Sequence, residues 1–149
     1  MNTINLTTKI KAPIEIIFDL SRNIDVHKLS INQTNEKAID GVTSGLINLN
    51  EMVTFRGKHF GIYIQHESII TEMDFPTYFV DEQLKGHFKS FKHQHFFEQK
   101  ENYVEVTDFL EYETPFGIFG RFFDRIFLKN HLTNFIIHRN AILKNLVEQ

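Results

Sequence analysis

Apolar and polar residues alternate with a period of two along most of the chain, and a period near 3.6 takes over in only a few places. Thr3–Lys11 sets Ile4, Leu6, Thr8 and Ile10 against Thr7, Lys9 and Lys11, the pattern of a half-buried strand. Ala12-Pro13 ends it, and Pro13 opens a short helix over Ile14–Leu20 that turns Ile14, Ile17 and Phe18 inward. Ile24–Ser30 predicts another turn or two of helix. Polar Asn32–Glu36 then leads to a short strand at Lys37–Asp40, and Gly41–Gly45 (GVTSG) is a turn. From Leu49 onward the pattern is strand after strand. Glu51–Arg56 sets Met52, Thr54 and Arg56 opposite Val53 and Phe55, and Phe60–Glu72, Tyr78–Lys85, Lys89–Gln99 and Tyr103–Tyr112 follow. Gly57 and Gly61 bracket one tight connection and Asp74-Phe75-Pro76 makes the next. Gly86 marks a bulge or turn, and Lys100-Glu101-Asn102 a hairpin tip.

The last stretch, Thr114 to Gln149, reads as one long helix. Thr114 suits the N-cap and Pro115 the first helical position, where a missing N–H costs nothing. Leu132, Phe135, Ile136, Arg139, Ile142, Leu143 and Leu146 recur at i, i+3, i+4, i+7 spacing and define an inward stripe. Unbroken, such a helix reaches about 45–50 Å. In its first half, Ile118, Phe119, Phe122, Phe123, Ile126 and Phe127 leave only Arg121, Asp124 and Arg125 for solvent, so this half predicts a concave partner. Gly117 and Gly120, each costing about 1 kcal/mol relative to alanine in a helix, predict either a close backbone approach, an opening gate or a turn ahead of the helix proper. The whole order is strand, two short helices, about six strands in meander, one long helix. That segregation predicts an α+β fold in which a strongly bent antiparallel sheet grips the C-terminal helix, as a single domain over 1–149.

Composition narrows the function. A net charge of −3 carries no electrostatic footprint for nucleic acid. With no cysteine there is no disulfide framework, thiol nucleophile or cysteine-based zinc site. The N-terminus has no apolar signal segment and no stretch reaches transmembrane length, so a cytoplasmic location is expected. The 16 Phe beside only 4 Tyr and no Trp mark either a Phe-rich core or an apolar cavity wall.

Strand parity locates the chemistry. On Lys89–Gln99 the odd positions Phe91, His93, His95 and Phe97 share one face, and on the neighbouring strands so do Phe79, Asp81 and Gln83, and Val106, Asp108, Leu110 and Tyr112. Buried carboxylates and imidazoles are costly unless paired, so these groups are expected to find one another. His93 and His95 could ligate a metal from one strand, but no third ligand stands at a compelling spacing, and no metal or cofactor is expected. A His–Asp pair drawn from His93 or His95 and Asp108 or Asp81 could instead act as a general base, although no Ser or Cys nucleophile accompanies it. His59, His66, His87, His131 and His138 read as surface or packing residues.

Four segments carry a resemblance across essentially the whole chain: APIEIIFDL (Ala12–Leu20), VTFRGKHFG (Val53–Gly61), FVDEQLKGHFKSFKHQHFFE (Phe79–Glu98) and DFLEYETPFG (Asp108–Gly117). The sequence resembles the START/Bet v 1-like (SRPBCC) superfamily of helix-grip domains, and more narrowly a bacterial branch carrying a cell-division-inhibitor-like label. The family pattern often has Gly-Pro-Phe and a Trp in the third segment, where this chain has His87 and Phe91. The resemblance implies a cavity between sheet and C-terminal helix that takes lipids, sterols, polyketides or other hydrophobic molecules; fold alone selects no function among carriers, receptors and enzymes.

The first expectation is therefore a non-catalytic binder of a small hydrophobic molecule that is lipid-, sterol- or polyketide-like. Phe79, Phe91, Phe97, Phe119 and Phe123 would give apolar contact, and Arg56, Asp81, Gln83, His93, His95, Asp108 and Tyr112 would orient a polar head. The alternative is a cyclase, dehydratase or isomerase with a His–Asp base and Tyr112 as acid. A third reading makes Ile118–Leu128 a membrane-surface or dimer face.

Overall fold

The computed structural model, which describes residues 1–30 and 34–148, joins seven strands into one antiparallel sheet. The strands are β1 (Asn2–Ile10), β2 (Lys37–Gly41), β3 (Met52–His59), β4 (Ile62–Asp74), β5 (Tyr78–Lys85), β6 (Ser90–Gln99) and β7 (Val104–Glu113), in spatial order β1-β7-β6-β5-β4-β3-β2. Every neighbouring pair but one is also consecutive in sequence; the exception sets β1 beside β7, with Asn2 opposite Tyr112 and Ile10 opposite Val104. Helices α1 (Ile14–Ser21) and α2 (Ile24–Ser30) fill the gap between β1 and β2. A helical run then extends from Gly117 to Val147 as α3 (Gly117–Phe123), a π turn (Asp124–Leu128) and α4 (Lys129–Val147). This is the Bet v 1-like helix-grip architecture expected from the sequence. Among the described residues no helix is long and apolar enough to cross a membrane.

Strand alternation does what the sequence pattern predicts: Val104, Val106, Asp108, Leu110 and Tyr112 of β7 are all buried, with half-buried residues between them. Two details differ. Gly57 lies inside β3, against the Glu36 side chain, and the turn falls at Phe60-Gly61 alone, both with positive φ. Of the polar Asn32–Glu36 segment, Asn32 and Gln33 lie outside the described residues.

The apolar interior has two parts. One gathers Ile10, Phe18, Phe79, Phe97, Val104, Val106 and Leu143, and the other Ile4, Leu110, Tyr112, Leu128 and Ile136. A polar layer divides them. Along β7 it falls at Asp108, between Val106 and Leu110; along β6 at His93 and His95, between Phe91 and Phe97; along α4 at Arg139 and Asn140, between Ile136 and Leu143.

The C-terminal run departs most from expectation. The helix starts at Gly117, two residues beyond Pro115; its N-cap is Phe116, which takes a left-handed φ of 66° without a side-chain cap. The first half of the run is not wrapped. Ile118, Phe119, Phe122, Phe123, Ile126 and Phe127 are all exposed, whereas Asp124, assigned to solvent by helical periodicity, is 5% exposed. The inward row is Gly120, Asp124, Leu128, then Ile136 and Asn140, with half-buried Leu132 between, all multiples of four apart. A spacing of four overruns the ~3.6-residue α turn, so the row drifts off any one face. The wider π turn at Asp124–Leu128 absorbs part of that drift. Tyr112 Oη donates to Asp124 Oδ1 at 2.5 Å and fixes the phase. Gly120 needs its missing side chain, since a Cβ there would lie 1.8 Å from the Pro115 carbonyl oxygen. At the other end, Leu146 is exposed instead of inward.

Candidate functional site

Between the sheet and the C-terminal run lies a cavity of about 850 Å³, walled by β3–β6 with Leu110 of β7, by α2 and by α3–α4. Its wall is mostly apolar, and one patch of it is the cavity side of the polar layer, where His93, His95, Asp81 and Arg139 reach the surface. Antiparallel register puts these groups together: Asp81 stands opposite His93, and His95 opposite both Phe79 and Asp108.

Asp108 is the hub. Fully buried, it accepts hydrogen bonds from His93 Nε2 (2.9 Å), Asn140 Nδ2 (2.6 Å) and Arg139 Nη1 (3.3 Å). Burial alone would raise its pKa, but the His93 and His95 contacts and the Arg139 charge outweigh that and hold it well below the carboxylate range. Arg139 also donates through Nη2 to the Ser21 carbonyl at the end of α1, and Asn140 to Thr8 Oγ1 of β1, so the hub ties β1, α1, β6, β7 and α4 together. His95 Nε2 bonds Asp81 Oδ2 at 2.7 Å. Its Nδ1 lies 3.1 Å from Asp108 Oδ1 but is too poorly aligned for a hydrogen bond. Burial disfavours charge on His95, yet its two carboxylate neighbours prevail and its pKa is raised. His93 goes the other way: burial and then the His95 charge lower its pKa despite Asp108. The two rings lie 3.9 Å apart, and His95 stacks on Phe79 at 4.2 Å. With Asp108 ionised, neutral His93 must carry its proton on Nε2. Its Nδ1 then keeps a lone pair with no partner among the described residues.

Asp81, His93 and His95 each present a donor atom within 4.8 Å of the other two, the composition of a three-ligand metal site. Each is engaged instead with a protein partner, and Arg139 adds a cation to the same layer.

A second polar group also lines the cavity; of its members the sequence reading left His59 and His131 as surface or packing residues and did not single out Glu36 or His27. Glu36 lies 3.5 Å from His59 Nε2 and 3.9 Å from His27 Nε2, and His59 Nδ1 meets His131 Nε2 of α4 at 2.9 Å. Burial would raise the Glu36 pKa, but the two imidazoles bring it down to about 2. Burial and the neighbouring His59 lower that of His131. No local signal marks this group, because its members lie on α2, β3, α4 and the segment ahead of β2.

Of the residues assigned to the site from sequence, Phe79, Asp81, Phe91, His93, His95, Phe119 and Phe123 line the cavity. Asp108 stands behind the histidines. The other four are corrected. Arg56 is exposed on the outer face with its guanidinium 4.9 Å from the Tyr63 ring centroid, as its shared parity with Met52 implies. The Gln83 amide bonds both backbone groups of Phe88 and shapes the β5–β6 turn. Phe97 packs against Phe18 and Phe79 in the core. Tyr112 is fully buried on Asp124, and burial together with that carboxylate pushes its phenol pKa upward, which leaves it unsuited as an acid. Arg139 and Asn140, by contrast, were not singled out for the site.

No family model and no curated protein sequence matches the chain. Solved structures do. TTHA0849 from Thermus thermophilus superposes with a TM-score of 0.78 at 14% identity, over 97% of this chain and 95% of that one. Ginseng major latex-like protein 151 from Panax ginseng gives 0.73 at 15%, over 98% and 97%. CV1439 from Chromobacterium violaceum gives 0.74 at 13%, over 99% and 98%. At these identities the likeness establishes the fold, a Bet v 1-like helix grip, and the site must be argued from its own residues.

Proposed function

We propose that the protein binds a small, mostly apolar molecule, of lipid, sterol-like or polyketide-like size, whose polar end is a hydroxyl or similar donor. The observation that carries this reading is the cavity of about 850 Å³, whose apolar wall is interrupted by a preorganised His93–His95–Asp81 patch. That volume lies within the range of small-molecule pockets, roughly 300–1,000 Å³. Phe79, Phe91, Phe119 and Phe123 supply apolar contact. The unpartnered His93 Nδ1 accepts from the ligand, and Asp108, Arg139 and Asn140 hold His93 in place from behind. Native mass spectrometry of protein purified from its own host, followed by extraction, is the direct test. A co-purifying small apolar molecule, or saturable uptake of a fluorescent fatty acid that His93→Phe weakens, is expected. Protein that is empty and takes up no apolar probe would overturn the reading.

One observation favours a second reading. The Asp108–His93 pair has the orientation of a carboxylate-positioned general base, with the free nitrogen belonging to a residue of the cavity wall. In an isomerase, cyclase or dehydratase, His93→Gln would abolish turnover and leave binding of the extracted molecule intact; loss of binding alone favours the carrier.

A further inference from the structure

The first half of the C-terminal run exposes its apolar side chains where a soluble helix would hide them. Phe116 is 83% exposed, Phe119 79%, Ile118 68% and Phe122 65%. The β3–β4 turn continues the patch with exposed Phe60, Ile62 and Tyr63, and the Phe60 ring meets Phe123 at 5.1 Å. The arrangement is built. Tyr112 holds Asp124 inward, Gly120 brings α3 against Pro115, and Phe116 sits in a left-handed conformation that L-residues rarely adopt. Strain that displays a phenylalanine to solvent calls for a function.

Charge identifies the occupant. Arg56 and Lys58 of β3, whose cations lie over the Tyr63 ring, and Arg121, Arg125 and Lys129 on the helical run flank the aromatic residues, and all five are exposed. Over residues 55–65 and 115–131 the only carboxylate is Asp124, which is buried. An acidic protein thus gathers five of its 16 Lys and Arg residues, and one of its 19 Asp and Glu residues, around one exposed apolar surface. Aromatic side chains ringed by basic ones match a bilayer interface with anionic headgroups. Phe60, Phe116, Phe119 and Phe123 line the cavity as well as facing solvent, so the patch surrounds its mouth.

We infer that α3, the π turn and the β3–β4 turn form a docking surface for an anionic lipid bilayer, placing the cavity mouth against the membrane. The inference goes beyond cavity binding and is tested apart from it. The chain has no tryptophan, so Phe122→Trp in the full-length protein is a single-site reporter. Vesicles of phosphatidylcholine containing phosphatidylglycerol should shift its emission to the blue and carry the protein upward on flotation. Phosphatidylcholine alone should do so weakly, and added salt should reverse it. Ile118→Ser with Phe122→Ser, both outside the cavity lining, should reduce partitioning by roughly tenfold or more per residue, and Arg121→Glu with Arg125→Glu should abolish the preference for anionic vesicles. These positions are exposed, so circular dichroism and fatty-acid uptake in vesicle-free buffer should stay as in the parent. Failure of the parent to float with anionic vesicles, or flotation unchanged by both double variants, would overturn the inference. So would a stable dimer that Ile118→Ser with Phe122→Ser turns into monomer, since the patch would then be a subunit interface.

Discussion

Asp108 links several elements of the molecule, accepting from β6 and α4 while its partners reach α1 and β1. Removing it leaves Arg139, itself 6% exposed, with its charge uncompensated. Breaking one partner of a buried ion pair typically costs about 3–5 kcal/mol. Asp108→Ala is expected to lose that much in urea unfolding, and a loss under 1 kcal/mol would show that the layer is wet or redundant. Single residues on strands were readable because parity on a pleated strand is strict: Asp108 between Val106 and Leu110 could face only inward. Arg139 was placed in the inward stripe by its spacing but given no role at the site, and Asn140 was not singled out, because a polar residue beside an apolar stripe on a helix has nothing local to mark it as buried. Arg56 failed for a different reason, since its type suggested a ligand clamp while its parity already placed it outside.

The C-terminal run shows where an element-scale pattern misleads. Helical periodicity treats apolar side chains as inward and charged ones as outward, but from Ile118 to Phe127 the six large apolar side chains are exposed and Asp124, beside exposed Arg121 and Arg125, is buried. The π turn adds a phase error, because a template of ~3.6 residues per turn cannot follow a row spaced by four. Close approach, one of the readings open for Gly117 and Gly120, is what Gly120 shows, and Gly117, at φ 54°, completes the left-handed turn before the helix. Gly120→Ala gains helix propensity of about 1 kcal/mol yet collides with the Pro115 carbonyl, a backbone atom that yields only if α3 shifts. A net destabilisation of roughly 1–3 kcal/mol is expected, with faster amide exchange over 117–123. A more stable variant would show that α3 has room to move.

At the scale of the whole molecule the buried imidazoles oppose one another. His93, His66 and His131 have pKa values below the ordinary 6.5, so the unfolded chain takes up their protons first and acid below that value weakens the fold. Asp108 and Glu36, with pKa values lowered from 3.8 and 4.5, lose their contribution as pH falls through that range towards their folded values. His95 acts in reverse: its raised pKa stabilises fully below 6.5, and this is lost as pH climbs through the folded value. The urea midpoint should therefore drop from pH 7 to pH 4. His95→Gln should remove whatever decline the parent shows on the alkaline side of 7. A midpoint flat from pH 7 to pH 4 would mean these groups titrate alike in both states.

The pairing of β1 with β7 has a consequence for the growing chain. Every other strand meets its neighbour within a short stretch of synthesis, but Asn2 waits for Tyr112. At about 5–20 residues per second that delay is roughly 5–20 s, during which Ile4, Leu6 and Ile10 have no sheet to join. The outward positions of the same strand, Thr3, Asn5, Thr7 and Lys9, then act as gatekeepers, keeping a waiting edge from zipping onto the wrong partner.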